Sequence, residues 1–488
     1  MTLVQNFERA MRWIDRWSLP GQGVAVTAGA KEAYPEVSGY FIPTLLQWNE
    51  VERARSYSQW LLDAQLESGA WTDPTGKHTC VFDTGQILRG LWELYCLQPG
   101  PELENSLREG CQWITSFVTE DGTLEPPDQT VWGGAVPLGV LLYSLEPVKR
   151  IAEGMQWGDI QAKAGQAIAY LVRSEGVLEF SSLSHFHAYI MEALVDLGYK
   201  ELALKGMQGP ARLQRKNGAV PAFNNVTWVC STGLFQYAIV WYKLGDFEKA
   251  NRAFDYAVRL QNRSGGWYGS YGLFKKYFPW REISWAVKYF LDGLHLKLRA
   301  SFEEMSPIFS DFIDPEDGRY QLVLQTIRDS NAKDVLDAGC GKGRYLRNLL
   351  NDVSSVSLYG SDLSVRVMDT IPPKIHTKQG SLLRLPYSDS CFDMVYTVEA
   401  LEHAVHIEAA IRELARVLKK GGTLLVIDKN CSQLGRLKLP NWEQWFNTEE
   451  LRVKLERNGF SVSTIEGVPY EGQEDNLFTG WIGVKRES

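Results

Sequence analysis

The sequence has few cysteines and no cysteine pattern. There are seven in 488 residues, an odd number, and no two of them form a C-x-x-C pair. A disulfide framework or a structural zinc site needs a regularly spaced set, so we expect neither, and we predict no metal. Scattered thiols fit a reducing compartment and hence a cytoplasmic protein. The cysteines are Cys80, Cys96, Cys111, Cys230, Cys340, Cys391 and Cys431.

Long apolar runs are also missing. The longest, near 136–145, is shorter than the ~20 residues that a membrane-spanning helix needs. The N-terminus carries acidic residues in an amphipathic pattern, whereas a secretory signal has a basic start and an apolar core. These absences predict a cytoplasmic protein with no membrane span.

The sequence also lacks an excess of positive charge. The chain has 51 Lys and Arg against 59 Asp and Glu, a formal net charge of -8, and no polybasic block. Nucleic acids and anionic membranes are bound through clustered basic residues, so we expect neither as a partner. A small-molecule or glycan substrate is expected instead, and the oligomeric state stays open.

The first 300 residues contain a weak repeat. Five fragments each end a segment of helical periodicity, turn on a glycine and precede another apolar helical segment, which predicts stacked helical hairpins. A chain of this length also predicts at least two domains. The fragments are QLESGAW, VTEDGTL, VRSEGVL, LQRKNGAV and LQNRSGGW.

Six helical pairs are predicted, which is enough to close a ring. The second helix of each pair is the more apolar, as expected for an inner helix between an outer layer and a central cavity. We therefore predict that residues 1–300 form an all-α domain, an (α/α)6 toroid. The first helices are predicted near 4–17, 51–65, 101–118, 158–174, 201–215 and 247–262, and the second near 39–48, 83–95, 132–145, 185–197, 232–244 and 283–297.

The pattern changes after the segment 301–315, which loses helical periodicity, contains two prolines and is predicted to be a linker. From 316 to 488 the β-rich runs VLDAG, SLYGSD, FDMVYTV and TLLVID alternate with helical segments. Such alternation builds a parallel sheet from βαβ units. The second domain, 316–488, is therefore predicted to be α/β with a Rossmann-like fold.

Glycines and two aspartates indicate a nucleotide-type site in this second domain. The segment VLDAGCGKGRYL places three glycines between a buried strand and a helix, where the backbone can approach a ligand closely. Asp362 ends the next strand, where an acidic side chain can accept both hydroxyls of a ribose. A dinucleotide site needs another glycine where Arg344 stands, so the spacing favours S-adenosylmethionine over a nicotinamide. The residues of the segment are Asp337, Gly339, Gly341 and Gly343.

These motifs, with GSLLRLPYSDSCFDMVYTVEALEH and ELARVLKKGGTLLVID, resemble class I S-adenosylmethionine-dependent methyltransferases of the ubiquinone/menaquinone type. The resemblance implies a seven-stranded, mostly parallel sheet and S-adenosylmethionine as cofactor. Asp337 and Gly339 would lie by the methionine moiety, and Asp362 would hold the ribose. Ser381 and Leu382 would flank the adenine, but Ser381 stands where this group often has an acidic residue, which leaves the hydrogen bond to the adenine amine open. The remaining implied cofactor-binding residues are Gly341, Gly343, Leu363 and Thr397.

The acceptor should face the carboxyl ends of the strands, at the switch point between the first and fourth strands of this sheet. His403 is the candidate catalytic base for a hydroxyl acceptor, because imidazole has the pKa closest to neutral. Alternatively, Glu402 and His403 only shape the loop after the fourth strand. Trp442 and Trp445 would either wall the acceptor site or pack in the core. The fourth and fifth strands would deliver Glu399, Glu402, His403, Asp428, Lys429 and Asn430.

Two fragments of the first domain, WLLDAQLESGAW and AVRLQNRSGGW, resemble the glutamine–tryptophan repeat of triterpene cyclases. Those cyclases also need a DxDD- or DDxxD-type aspartate cluster, which this sequence lacks, so terpene cyclisation is not expected. Zinc-dependent toroids need a Cys/His/Asp set lining the cavity. Cys230, His185 and His187 are the only comparable residues, so a metal is not expected there.

The segment KEAYPEVSGYFIPTLL is instead similar to the opening helix of carbohydrate-acting toroids. Aromatic faces stack on sugar rings, and carboxylates or tyrosines move protons. A hydrated polar mouth without turnover is the alternative. The residues predicted to line the cavity are Tyr34, Glu36, Tyr40, Asp83, His185, His187, Arg281 and Glu282, with Trp132 and Trp228 beside them.

Taken with the resemblance, these features predict a two-domain enzyme whose methyltransferase O-methylates a carbohydrate or glycan precursor that the toroid binds or modifies. One alternative keeps the methyltransferase but gives it a non-sugar acceptor, such as a lipid quinone, with the toroid as a separate catalyst. Another makes the toroid a non-catalytic docking module.

Overall fold

The computed structural model of the chain describes residues 2–126, 136–435, 437, 440 and 442–486. The chain divides into two compact units. The helical unit comprises Asn6–Leu46 and Glu50–Lys297, and the C-terminal unit comprises Leu298–Ser488 with the short segments Met1–Gln5 and Gln47–Asn49. Among the described helices, none combines the length and the apolar composition that a membrane span requires.

The described residues up to Met305 form twelve α-helices in six consecutive pairs, which confirms the predicted helical character of this region. A short antiparallel pair of strands, β1 (Val229–Cys230) and β2 (Ser270–Tyr271), lies among them. The helical pairs are α1 (Leu3–Trp17) with α2 (Pro35–Gln47), α3 (Val51–Asp63) with α4 (Val81–Leu97), α5 (Pro101–Ser116) with α6 (Leu142–Met155), α7 (Gly158–Val172) with α8 (Ser184–Asp196), α9 (Lys200–Leu213) with α10 (Ser231–Leu244), and α11 (Phe247–Val258) with α12 (Ser284–Met305).

The second helix of a pair is buried more completely than the first. In α10 every side chain from Ser231 to Tyr242 is buried. In α11, by contrast, burial is confined to Ala250, Ala253, Phe254 and Ala257. Residues three or four apart share one face of a helix, so α11 contacts the rest of the unit along a single stripe, whereas α10 is packed on all sides.

A hydrogen-bonded turn explains the sequence repeat. After α3, the Gln65 side chain donates from Nε2 to the carbonyl oxygens of Gly69 and Ser106, both at 3.0 Å. Trp71 folds back and donates from Nε1 to the carbonyl oxygen of Leu61 at 2.6 Å. Because Ser106 belongs to α5, this turn joins its own helix to the first helix of the next pair.

The turn after α11 repeats these contacts. Gln261 donates from Nε2 to the carbonyl oxygens of Gly265 at 2.9 Å and Asn6 at 3.0 Å, and Trp267 donates to the end of α11. Gly265 has φ 103°, and a Cβ there would lie 2.0 Å from the carbonyl oxygen of Arg9, so only glycine fits. Asn6 and Arg9 belong to α1, so the last of these turns contacts the first helix.

The second helices also contact one another in order. α4 packs against α6, α6 against α8, and α8 against α10. α2 packs against α4 at Gly39, and α12 packs against α10 at Gly293. Thr44 of α2 donates from Oγ1 to Asp292 Oδ1 of α12 at 2.6 Å. The last second helix is therefore hydrogen-bonded to the first.

One predicted helix is misplaced. The sequence placed the second helix of the third pair near 132–145, but the structure has a 3₁₀ turn at Leu138–Leu141 followed by α6, which ends at Met155. Pro147 does not end this helix. Gln156 ends it by adopting the left-handed conformation, with φ 59°. Residues 127–135 lie outside the described residues.

The segment predicted to be a linker begins within a helix. Helix α12 continues through Met305, so the first five residues of the segment 301–315 are helical. This extension contains no glycine or proline, and Arg299 pairs with Glu303 one turn later at 3.5 Å, which supports an exposed helical turn. The helix ends where Pro307 enters the 3₁₀ turn Ser306–Ile308.

The C-terminal unit is built on a sheet of seven strands, which are β3 (Asp334–Ala338), β4 (Ser357–Asp362), β5 (His376–Gln379), β6 (Phe392–Val398), β7 (Leu418–Lys429), β8 (Phe460–Tyr470) and β9 (Gln473–Lys485). Their order in the sheet is β5-β4-β3-β6-β7-β9-β8. Neighbouring strands from β5 to β7 are parallel, and β9 is antiparallel to both β7 and β8. The predicted Rossmann-like, mostly parallel sheet is confirmed. The helices are α13 (Gly318–Asp329), α14 (Arg344–Asp352), α15 (Val365–Met368), α16 (Ile407–Val417) and α17 (Thr448–Arg457).

Candidate functional site

The donor loop, defined as residues 339–343, leads from β3 into α14. Its three glycines all have positive φ, a region that strongly favours glycine. The Gly339 N–H donates to the carbonyl oxygen of Ser361 at 2.8 Å, which holds the loop against the end of β4. A Cβ on Gly339 would lie 2.4 Å from the Cβ of Ala400. The loop can therefore pack this closely against the segment after β6 only because it carries glycine.

Asp362, the last residue of β4, is hydrogen-bonded to the donor loop. Its Oδ2 accepts the N–H of Gly341 and its Oδ1 accepts the N–H of Ser364, both at 3.0 Å. Burial raises the pKa of this carboxyl, and the backbone hydrogen bonds oppose that rise. Each carboxylate oxygen has two lone pairs, so Asp362 keeps acceptor capacity for further hydroxyl donors.

Asp337 lies within β3, beside β6. The Tyr396 hydroxyl donates to Asp337 Oδ2 at 3.0 Å, and burial raises the pKa of the carboxyl to about 7. Thr397 is the next residue on β6 and is fully buried; among the described residues its Oγ1 has no hydrogen-bond partner. The register of the parallel strands therefore places Asp337 and Thr397 near the same edge of the sheet as the donor loop.

Ser381 and Leu382 lie in a turn that follows β5. The Ser381 Oγ accepts the N–H of Leu383 at 3.1 Å, so this hydroxyl is used within its own turn. Leu363 follows β4, and its carbonyl oxygen accepts from Gln379 Nε2 at 3.0 Å. The structure thus brings the ends of β4 and β5 together, and Ser381 offers a hydroxyl where the methyltransferase group that the sequence resembles often has a carboxylate.

Glu399, directly after β6, is surrounded by cations. Its carboxylate lies 2.7 Å from Arg319 Nη1, 2.6 Å from Arg344 Nη2 and 3.9 Å from Lys429 Nζ. Its backbone has φ 52°, an uncommon value for a residue with a side chain. Burial alone would raise the pKa of Glu399, but the charges of Arg344, Arg319 and Lys429 outweigh burial and lower it. Arg319, on α13, is a member of this site that the sequence did not suggest.

The Glu402 cluster comprises Glu402, His403, Lys429 and Glu443. Lys429 forms a short ion pair with Glu402, and its Nζ lies 3.4 Å from Glu443 Oε1. His403 lies between the two glutamates, 3.7 Å from Glu402 and 3.9 Å from Glu443. Sequence reasoning missed Glu443, which sits between the two tryptophans of the segment NWEQWF.

Burial dominates the electrostatics of this cluster. Burial lowers the pKa of His403 to about 4, with the charge of Glu443 opposing the shift. Burial raises the pKa of Glu402 to about 7 against the attraction of Lys429. Near neutral pH, His403 is therefore a neutral imidazole with a free lone pair but low basicity, whereas Glu402 titrates. One ligand atom each from Glu402, His403 and Glu443 lies within 4.8 Å of the others, a spacing that would also suit a cation, and the Lys429 ammonium contacts both glutamates.

The other residues predicted on the acceptor side are either buried or form structural contacts. Asp428 is fully buried, and burial raises its pKa well above the usual range. Asn430 follows β7 directly, and its side chain donates to Thr479 Oγ1 of β9 at 3.2 Å. Trp445 belongs to the hydrophobic core of the unit, and its Nε1 donates to Glu443 at 2.6 Å. Trp442 is buried as well.

In the helical unit, the carboxyl cluster comprises Tyr34, Glu36, Asp83 and Lys288. The Tyr34 hydroxyl donates to Asp83 Oδ2 at 2.9 Å. Burial raises the pKa of Asp83 to about 7 and, together with the charge of Asp83, raises that of Glu36. Glu36 and Asp83 lie in the first turns of α2 and α4, and within the described residues no hydrogen bond reaches the Glu36 carboxyl.

Aromatic rings surround His185 and extend to the carboxyl cluster. The His185 ring centroid lies 4.5 Å from that of Tyr189, 6.0 Å from Tyr277 and 6.1 Å from Tyr289. Tyr289 in turn lies 6.1 Å from Tyr40, one helical turn after Glu36. Burial lowers the pKa of His185 to about 4, so the ring is neutral at pH 7. We call Tyr40, Tyr189, Tyr277, Tyr289 and His185 the aromatic group.

The other predicted cavity residues do not join this group. His187 hydrogen-bonds the Tyr237 hydroxyl at 3.0 Å, away from His185. The Glu282 carboxylate accepts from Trp13 Nε1 at 2.8 Å and is held in the turn after α11. Arg281 is exposed, and none of its described contacts reaches the carboxyl cluster. The structure thus brings together Tyr34, Glu36, Tyr40, Asp83 and His185, and it leaves His187, Arg281 and Glu282 apart.

Two further candidates near the predicted cavity have other surroundings. Trp228 packs in an apolar cluster with Leu183, Ala222 and Cys230. Burial raises the pKa of the Cys230 thiol to about 12, which makes it a poor nucleophile. Trp132 lies outside the described residues.

Comparison with known proteins identifies the C-terminal region. Residues 336–426 match the protein family described as "Methyltransferase domain". An uncharacterized protein of Methanocaldococcus jannaschii is 33% identical over 29% of this chain and 62% of that protein. A probable S-adenosylmethionine-dependent methyltransferase of Mycolicibacterium smegmatis is 31% identical over 31% of this chain and 61% of that protein. The mitochondrial ubiquinone biosynthesis O-methyltransferase of mouse is 30% identical over 30% of this chain and 45% of that protein.

The chain covers less than two thirds of the length of each of these relatives. The family match runs from β3 into β7 and so includes the donor loop, Asp362, Glu399 and the Glu402–His403 pair. The C-terminal unit therefore contains a class I methyltransferase domain of the S-adenosylmethionine-dependent type, an enzyme domain whose cofactor is S-adenosylmethionine.

Proposed function

We propose that this enzyme transfers a methyl group from S-adenosylmethionine to a hydroxyl of a carbohydrate or glycan precursor, which the helical unit binds or modifies in the cytoplasm. The carboxyl cluster beside the aromatic group carries this proposal. Aromatic faces stack on sugar rings, and carboxyl groups bind hydroxyls or move protons. Burying the Glu36 carboxyl without a hydrogen-bonded partner costs stability, and ligand binding would give such an arrangement a use.

We infer that the helical unit is the (α/α)6 toroid that the repeat predicts. Two independent contacts support closure of the helix pairs. The Gln261 turn after α11 is hydrogen-bonded to Asn6 of α1, and Asp292 of α12 is hydrogen-bonded to Thr44 of α2. In an open stack of hairpins, the first and last pairs would not touch. The first helices and the second helices therefore both support a closed arrangement.

The residues at the donor loop fit S-adenosylmethionine. A Cβ on Gly341 would meet no atom within 4 Å, so the backbone borders open space there, and Asp362 keeps lone pairs for a ribose. When bound, the cofactor supplies a methyl group already activated on a sulfonium. The chain's own residues then have only to hold the donor and align the acceptor with it. The proposed donor-binding residues are Asp337, Gly339, Gly341, Gly343, Asp362, Leu363, Ser381, Leu382 and Thr397.

A hydroxyl acceptor also has to lose its proton, and His403 is the proposed base. It is neutral at pH 7 and has a free lone pair, and it lies on the acceptor side of the sheet. General bases contribute about 10²–10⁴-fold to rate, so His403→Gln should lower turnover by about that factor. Near-normal turnover would remove the assignment. In that case a rate that falls on acidification through pH 7 would point to Glu402, whose pKa is about 7.

A non-sugar acceptor such as a lipid quinone is the alternative. The name of the mouse relative, a ubiquinone biosynthesis O-methyltransferase, favours it. The helical unit would then be a separate catalyst or a docking module. This alternative predicts that changes in the carboxyl cluster leave methylation of the acceptor unaltered.

The decisive experiment incubates the full chain with methyl-labelled S-adenosylmethionine and a panel of sugar nucleotides, oligosaccharides and quinols. We expect label on a sugar hydroxyl. We also expect Glu36→Gln and Asp83→Asn to raise KM for that sugar while the donor Kd stays unchanged. Asp63→Asn, on an exposed position of α3, is the matched control. Label on a quinol with no effect of these variants would establish the alternative, and failure to bind the donor would overturn the proposal.

Donor binding has its own test. Asp362→Ala should abolish binding of S-adenosylmethionine in calorimetry, because the substitution removes the ribose acceptor and releases the donor loop. Asp369→Asn, at an exposed position after α15, should bind as the unaltered protein does. Equal affinities for the two variants would show that Asp362 does not hold the ribose.

A further inference from the structure

A ten-residue segment between β2 and α12 exposes an unusual number of large apolar side chains. In this segment, residues 272–281, Leu273 is 78% exposed, Phe274 87% and Trp280 71%. Elsewhere in the described residues, only Ile308 at 80% and Phe312 at 63% are comparably exposed. We call residues 272–281 the docking loop.

The docking loop is held in place at its base. The Gly269 N–H donates to the carbonyl oxygens of Phe278 at 3.2 Å and Arg281 at 3.1 Å. Trp285 donates from Nε1 to the Tyr277 hydroxyl at 3.1 Å. The loop therefore presents its apolar tip on a fixed base, and it does not bury that tip within the described part of the helical unit.

The charge of the docking loop opposes that of the chain. It contains Lys275, Lys276 and Arg281 and no acidic residue, whereas the whole chain carries a net charge of -8. The Lys275 Nζ lies 3.2 Å from the centre of the Trp280 ring, so a cation and an apolar ring share one surface. The next residue, Glu282, is turned inward by its hydrogen bond with Trp13. The chain-wide charge, on which the expectation of no anionic membrane partner was based, conceals this local basic patch.

We propose that the docking loop binds the surface of an anionic membrane by inserting Leu273, Phe274 and Trp280 among the lipids. Exposed aromatic and leucine side chains enter the interface between headgroups and acyl chains, and neighbouring Lys and Arg bind anionic headgroups. A stable protein interface needs about 20–30 residues on each partner, whereas this loop has ten. A lipid surface needs only a few inserted side chains, so the size and charge of the loop favour lipid.

Surface binding would have a consequence for the helical unit. Tyr277 belongs to the docking loop, and its ring lies 6.0 Å from that of His185 in the aromatic group. Membrane binding would therefore bring the proposed acceptor-binding residues close to the lipid surface, where a lipid-linked acceptor would be found. This consequence rests on the proposed function, whereas lipid binding by the loop does not.

The test is co-sedimentation of the full chain with vesicles of phosphatidylcholine containing about 30% phosphatidylglycerol. We expect binding that weakens about tenfold in Leu273→Ser/Phe274→Ser/Trp280→Ser and in Lys275→Gln/Lys276→Gln/Arg281→Gln. Binding should also weaken at about 0.5 M NaCl and with pure phosphatidylcholine vesicles. Ile308→Ser/Phe312→Ser is the matched control, because it removes comparably exposed apolar side chains from an acidic segment. Phe274→Ser alone should give a smaller loss with the least risk to folding.

Three results would overturn the proposal. The first is failure of the unaltered protein to bind anionic vesicles. The second is a loss of binding in the Ile308/Phe312 control as large as that in the loop variants. The third is a change in the oligomeric state of the protein when the loop variants are compared with the unaltered protein by sedimentation velocity without lipid. That change would show that the loop is an interface between copies of the chain. None of these results depends on methyltransferase activity, so failure here is distinguishable from failure of the proposed function.

Discussion

Glu399 in the C-terminal unit is partly buried and Glu36 in the helical unit is buried, yet the pKa values of these two glutamates shift in opposite directions. Arg344, Arg319 and Lys429 surround Glu399, and together they outweigh burial and lower its pKa. Glu36 is next to Asp83, and burial with that second carboxyl raises its pKa although Lys288 opposes the shift. The surroundings of Glu399 therefore favour its ionised form, whereas those of Glu36 disfavour it.

The difference shows two ways of placing a carboxyl group in a protein interior. A carboxylate held by cations fixes the loop that carries it, as Glu399 does for the turn after β6. A carboxyl whose charged form is disfavoured and that has no hydrogen-bonded partner adds little rigidity, but it can exchange a proton or bind a neutral hydroxyl. The first arrangement suits a donor site that must be ordered before binding. The second suits a site that gains its partner from a ligand.

The largest expected effect comes from removing the ionised member. Glu399→Gln removes the carboxylate that Arg319 and Arg344 share. Arg319 keeps its ion pair with Asp317, whereas Arg344 loses its carboxylate partner, and the loss of a partly buried ion pair of this kind costs about 3 kcal/mol. Hydrogen exchange with mass spectrometry should show faster exchange in β3 and β6 while the helical unit is unaffected. Glu36→Gln should leave exchange in α2 unchanged or slowed. Equal destabilisation by both variants would end the distinction between the two glutamates.

A pH titration gives the second largest effect. The pKa of Asp83 is raised to about 7 in the folded chain, against ~3.9 unfolded. As the pH rises, Asp83 loses its proton near pH ~4 in the unfolded chain but only near pH 7 in the folded chain. The stability that Asp83 contributes is therefore fully present below pH ~4 and is lost as the pH rises through 7. The stability advantage over Asp83→Asn should therefore shrink by about 2–4 kcal/mol from pH 4 to pH 8.

Urea unfolding followed by tryptophan fluorescence measures this difference, since most of the 17 tryptophans lie before residue 298. The control variant Asp63→Asn should show the pH dependence of the unaltered protein. A parallel pH dependence of the unaltered protein and Asp83→Asn would mean that Asp83 is ionised in the folded chain. The carboxyl cluster would then resemble the Glu399 site.

The two units also differ in how far the sequence predicted them. In a parallel sheet, residues that end neighbouring strands meet at one edge, so the donor loop and Asp362 could be placed together from their positions alone. Glu443 reaches the same edge from an irregular segment, and no periodicity indicates where such a segment folds back. The positions of the strand ends therefore predicted the donor-binding residues but did not indicate Glu443 on the acceptor side.

In the helical unit, the repeat predicted the helix pairs but not which side chains face each other. His185 and His187 are two residues apart, which on a helix places them on nearly opposite faces. His185 joins the aromatic group, while His187 contacts Tyr237. Glu282 was predicted beside the cavity because it precedes a second helix, but the Trp13 indole of α1 binds it. That contact joins residues far apart in sequence and has no local signal.

The smallest expected effect concerns the neutral hydrogen bonds between the last and first helical pairs. Gln261→Ala removes donors to Asn6 and Gly265 and the acceptor for Asn6 Nδ2, and should cost about 1–2 kcal/mol of unfolding free energy. Gln65→Ala, which removes the equivalent contacts between α3 and α5, is the matched comparison. In a closed set of pairs the two losses should be similar. In an open stack the pair at the end would fray, and Gln261→Ala would have almost no effect. Because these hydrogen bonds involve no charge, the loss of unfolding free energy measured with urea should not change with salt concentration. The loss caused by Glu399→Gln should change with salt concentration, because it involves ion pairs.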